Sequence, residues 1–101
     1  MPRILTGVGS HFCATHKDHK GRLHGHSYEV TAWHECKDRN DAVILQTHLD
    51  GLCKAFDHTE LPSGLEWAED IAVAILGLSP PSCVEVVVGR PLERLYARAI
   101  A

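Results

Sequence analysis

Between residues 23 and 36 the side chains alternate with a period of two. His24, His26, Tyr28, Val30 and Ala32 fall on one face of an extended strand, and Gly25, Ser27, Glu29, Thr31 and Trp33 on the other. Residues 4–16 are compatible with an earlier extended arm, broken or bulged near Gly7 and Gly9. The polar stretch 17–22, with Gly21, suits a hairpin connection, and residues 37–41 read as a loop. Residues 42–56 place Ala42, Leu45, Leu49, Leu52 and Phe56 at helical spacing, weakened by Gly51. A second helix is announced by Ser63-Gly-Leu-Glu66, read as a capping box. Its apolar stripe is Trp67, Ile71, Ala74, Ile75 and Leu78, and Gly77 and Pro80-Pro81 mark its end. Residues 83–88 and 95–101 read as closing strands. The pattern predicts one α+β domain over residues 1–101, a four-stranded antiparallel sheet with two helices on one face. Free edges in such a sheet favour pairing with another copy.

Composition narrows the class. The chain of 101 residues is 45% hydrophobic and 23% charged, as in an ordinary soluble domain. A formal charge of −3 without a basic block excludes a nucleic-acid or anionic-membrane surface. No apolar run reaches the roughly 18 residues that cross a bilayer. Without a signal-peptide pattern, a cytoplasmic protein is the expectation. Cys13, Cys36, Cys53 and Cys83 contain no C-x-x-C pair and are expected as free thiols, Cys13 as a small buried hydrophobe.

The unusual component is histidine. Eight histidines outnumber Phe, Trp and Tyr together, two of each, and His11, His16, His19, His24 and His26 fall within sixteen residues. On a strand, His24 and His26 project from the same face roughly 7 Å apart. His16, just before the polar turn, is placed to add a third imidazole from the paired strand. Three imidazoles plus a water form an open, catalytic kind of zinc site. Solvated hairpin histidines are the competing reading of the same residues. Parity turns His11 and Cys13 away from His16. Asp57-His58 is a second cluster, since an imidazole beside a carboxylate can act as acid or base near neutral pH; a loop aspartate beside a surface histidine is the plainer alternative.

The order of these motifs resembles a known family. Phe12-Cys-Ala-Thr-His16, a short polar loop, Leu23-His-Gly-His-Ser-Tyr28, Asp57-His58 and Ala68-Glu-Asp-Ile-Ala72 are similar to 6-pyruvoyl-tetrahydropterin synthase and 6-carboxytetrahydropterin synthase. The likeness runs over roughly residues 10–98. It implies the tunnelling-type fold, in which copies assemble into a homo-trimeric barrel and commonly a homo-hexamer with sites between subunits. It also implies Zn2+ on His16, His24 and His26, a pterin-like small-molecule substrate, and proton transfer by a Cys-Asp-His set to which Asp57 and His58 correspond. Glu69 is kept as a cofactor- or substrate-binding position. The catalytic cysteine corresponds to Lys20, which could serve as a base only with a strongly lowered pKa. The pterin-anchoring glutamate corresponds to Val88 and a family threonine to Trp67.

Two functions follow as expectations. One is a zinc-dependent carbon–oxygen lyase or cyclase with an altered active site, using His58, Asp57 and Lys20 or Cys13. The other is a catalytically inactive paralogue that binds zinc and a pterin-like ligand.

Overall fold

The computed structural model of the chain describes residues 2–101. Strand β1 (Thr6–Lys17) and strand β2 (Leu23–His34) form one long hairpin, followed by helix α1 (Asp41–Phe56). A two-residue strand β3 (Thr59–Glu60), helix α2 (Ala68–Leu78), and strands β4 (Cys83–Arg90) and β5 (Leu95–Ile100) complete it. The sheet order is β3-β1-β2-β4-β5. This corrects the expectation of four antiparallel strands: there are five, and β3 lies parallel to β1, with Ala14 opposite Thr59 and Thr15 opposite Glu60. Two residues carry no period, so pattern alone could not reveal this strand.

Alternation decides what is buried. Val8, Phe12 and Ala14 of β1, Tyr28, Val30 and Ala32 of β2, and Val86 and Val88 of β4 form one core. Leu45, Leu49 and Cys53 of α1 and Ile71, Ala72 and Ile75 of α2 cover it. Phe12 stacks on Tyr28 with ring centroids 4.8 Å apart. His11, Cys13, Ser27 and Glu29 lie exposed on the opposite face. Cys13 is therefore not the buried hydrophobe that its type suggested.

Three further expectations change. The β1–β2 register runs unbroken from Thr6 opposite His34 to Lys17 opposite Leu23, with no bulge at Gly7 or Gly9. Gly7 instead makes room for an aromatic ring, because a Cβ there would sit 2.8 Å from Trp33. The irregularity lies at Trp33/His34, in the pairing of β2 with β4. The capping box does not form: α2 starts at Ala68 with Trp67 as its uncapped N-terminal neighbour. Glu66 accepts a bond from the Gly64 N–H in the preceding turn. The buried stripe is correspondingly Ile71, Ala72 and Ile75, with Trp67 and Leu78 exposed. Among the described residues, no helix is long and apolar enough to cross a membrane.

Candidate active site

The β1–β2 hairpin puts the histidines at one end of the sheet. Register sets His16 opposite His24 and Ala14 opposite His26, so all three imidazoles rise near the hairpin tip. Asp18 shapes that tip. Its Oδ1 accepts the N–H groups of Lys20 at 2.8 Å and Arg22 at 2.9 Å, and Gly21 takes the left-handed φ of 77° that the turn requires. The Arg22 N–H above all, with that of Lys20 and the side chains of His24 and Arg22, holds the Asp18 carboxyl well below the usual carboxylate range.

His16 is buried, at 4% exposure. Burial first, then the neighbouring charges of His26, Arg90 and His24, lowers its pKa. His16 Nε2 lies 2.9 Å from His26 Nε2. His26 Nδ1–H donates to Glu93 Oε1 at 2.9 Å. A neutral His26 protonated at Nδ1 accepts at Nε2, which makes His16 the donor in that pair and leaves the buried His16 Nδ1 without a partner. Trp67 sets its ring edge-on to His16, centroids 5.9 Å apart. His24 turns outward, donating from Nε2 to Asp18 Oδ2 at 3.0 Å, its centroid 6.4 Å from those of His16 and His26.

As they stand, no three His, Cys, Asp or Glu side chains among the described residues are arranged to hold a metal ion. The donor set nonetheless fits Zn2+. Two nitrogens on one tetrahedral zinc, each about 2.0–2.1 Å away, would lie about 3.3 Å apart. The His16–His26 separation of 2.9 Å is within a few tenths of that. The third imidazole sits next to the pair, retained by one surface hydrogen bond.

The Asp57-His58 pair arrives on the other flank. Helix α1 returns the chain to the β1 edge, where the His58 N–H donates to the Cys13 carbonyl at 2.6 Å and the Cys13 N–H to Asp57 Oδ1 at 2.9 Å. His58 adopts a left-handed φ of 56°, and its Nδ1–H donates to Asp57 Oδ2 at 2.8 Å. The Cys13 N–H first, then His58, lowers the Asp57 pKa and keeps it ionised.

A cleft of about 490 Å³ is bordered by one residue of each cluster, His26 and His58. Cys13, Gly25, His26, Ser27, His58 and Glu93 are among the residues that line it. Of the imidazoles, His26 and His58 border this cleft, whereas His16 and His24 do not. Cys13 Sγ is 3.5 Å from Ser27 Oγ. Lys20 and Glu69 lie elsewhere. Lys20 is an exposed turn residue that does not line this cleft, and Glu69 borders a separate one with Trp67, Arg90 and Tyr96. Val88 is fully buried in the core beneath the helices. Sequence reasoning missed Glu93, which stands 67 positions from His26 in a turn with no motif, and undervalued Cys13.

Comparison with known proteins agrees with the fold. The structure of Caenorhabditis elegans 6-pyruvoyl tetrahydropterin synthase superposes with a TM-score of 0.78 at 14% sequence identity, over 100% of this chain and 97% of the other. Among curated protein sequences, none matches. The family model described as 6-pyruvoyl tetrahydropterin synthase matches residues 8–86, which hold the histidine hairpin, Asp57-His58 and α2. The chain therefore belongs to the 6-pyruvoyl tetrahydropterin synthase family.

Proposed function

We propose that this protein is a zinc-dependent carbon–oxygen lyase or cyclase acting on a pterin-like small molecule, with an altered set of proton-transfer groups. The observation that supports it best is the single cleft bordered by His26, Cys13 and His58. His16, His24 and His26 would hold the metal. Bound there, Zn2+ supplies a Lewis acid that polarises a hydroxyl or carbonyl oxygen of the substrate side chain. His58 exchanges a proton with the substrate at Nε2, because its Nδ1–H is committed to Asp57. Ionised Asp57 fixes that tautomer and favours the imidazolium that forms, and its own orientation is set by the Cys13 N–H. Cys13, which lines the cleft, supplies the second proton-carrying group, a role that the exposed Lys20, outside the cleft, does not share.

A second reading is a catalytically inactive paralogue that binds zinc and a pterin-like ligand. The burial of Val88 favours it, because no carboxylate anchors a pterin ring from that position. Incubating zinc-loaded protein with dihydroneopterin triphosphate, and following pterin products chromatographically, separates the two. Turnover is expected for the native chain, with a loss of roughly 100-fold or more in His58→Ala and a similar loss in Cys13→Ser. Lys20→Ala is expected to retain activity. A zinc-loaded native chain without turnover supports the paralogue.

A further inference from the structure

The turn between β4 and β5 delivers a carboxylate to the histidine cluster. Residues 91–94 fold back through the Glu93 N–H to the Arg90 carbonyl at 3.1 Å and the Arg94 N–H to the Pro91 carbonyl at 3.2 Å. Arg94 adopts a φ of 58° in closing it. Glu93 thereby reaches His26, whose side chain is only 11% exposed. The choice of partner is informative. Arg90 lies beside Glu93, and its buried Nε has no hydrogen-bond partner among the described residues. Yet Glu93 Oε2 stays 3.9 Å from that nitrogen while Oε1 takes the His26 proton at 2.9 Å. A carboxylate serving only to balance surface charge would close on the guanidinium. This one is directed at an imidazole.

We propose that Glu93 is a positioning residue for the metal, fixing the ring and tautomer of His26 so that its Nε2 lone pair faces His16. The proposal rests on the zinc reading above. A proton held on Nδ1 by Glu93 keeps Nε2 free, whereas a proton on Nε2 would leave Glu93 without its donor. A carboxylate on the outer nitrogen also raises the basicity of the inner one, and loss of such a partner typically costs 10–100-fold in metal affinity. Asp18 accepts from His24 at Nε2 rather than Nδ1, so that contact holds its imidazole outward and does not repeat the arrangement at His26.

The test uses the full chain stripped of metal, with Zn2+ titrated against a chromophoric chelator. Glu93→Ala should weaken Zn2+ binding by about 10–100-fold. Glu93→Gln, which keeps an acceptor, should weaken it less. In long-range 1H–15N spectra of the metal-free native protein, His26 should carry its proton on Nδ1, and in Glu93→Ala that preference should be lost. Native affinity in a folded Glu93→Ala variant overturns the proposal, as does a native His26 protonated mainly on Nε2. If Glu93→Ala fails to fold, the native tautomer and the Gln variant decide. A native chain that binds no Zn2+ removes the zinc reading and this inference with it. A chain that binds Zn2+ tightly with or without Glu93 removes this inference alone.

Discussion

At the scale of single residues, a histidine remote from the cleft sets a pH dependence. His34 is 2% exposed and shares a hydrogen bond between Nδ1 and Ser82 Oγ at 2.9 Å. Burial first, then the charge of His48, lowers its pKa below the ordinary 6.5. The unfolded chain therefore binds more protons than the folded one below about pH 6.5, and stability falls as pH drops through that window. His16 acts in the same direction. The urea midpoint should fall between about pH 7.5 and 5.5, within the range where histidine titrates. His34→Gln should start about 1–3 kcal/mol less stable, through its lost packing and hydrogen bond, and show a shallower fall. A native midpoint unchanged across this range would contradict the assignment. Which residues could be found from sequence follows from the same local physics. Parity and register relate His16, His24 and His26 because they belong to one hairpin, and Asp57 meets His58 because they are neighbours. Glu93 reaches His26 only through the β4–β5 turn, and Cys13 meets His58 only through β3. No local spacing encodes either contact.

At the scale of elements, both hairpins carry a glycine opposite an aromatic on the face away from the helices. Gly7 is paired with Trp33 and Gly89 with Tyr96. A Cβ on Gly89 would lie 2.5 Å from the Tyr96 ring, as one on Gly7 would lie 2.8 Å from Trp33. In each pair the ring covers the backbone that glycine leaves open. A glycine in a strand suggests a bulge or a close approach, and the close approach is what occurs. Gly7→Ala must displace the Trp33 ring and should cost about 1–3 kcal/mol, read as a melting temperature lowered by about 4 °C or more. An unchanged melting temperature would show that the ring moves freely. Periodicity identified the two helices and the long strands because each spans several turns or pleats. It failed where tertiary contacts prevail: at β3, held by main-chain bonds to Cys13 and Thr15, and at the start of α2, where Glu66 bonds within its own turn.

At the scale of the whole molecule, the long hairpin and the two helices bury one face of the sheet and leave the other uncovered. Among the described residues β5 pairs only with β4, and its Leu95, Tyr96 and Ile100 are 53%, 61% and 65% exposed. An unpaired edge bearing large apolar side chains is a surface for another strand. We propose that copies join along it into a homo-trimer or homo-hexamer, the closure that removes every free edge. Light scattering should then give a mass that is a multiple of three 11.1 kDa chains. Ile100→Lys places a charge on the exposed edge of β5 without touching the core, since Ile100 is largely exposed. It should shift the mass toward the monomer while the far-ultraviolet dichroism stays native. A native chain that remains monomeric at micromolar concentration would overturn the assembly. The edge and the histidine cleft lie on different strands, so zinc binding by a monomeric Ile100→Lys protein would show that the metal needs only this chain, whereas its loss would tie the site to the assembly.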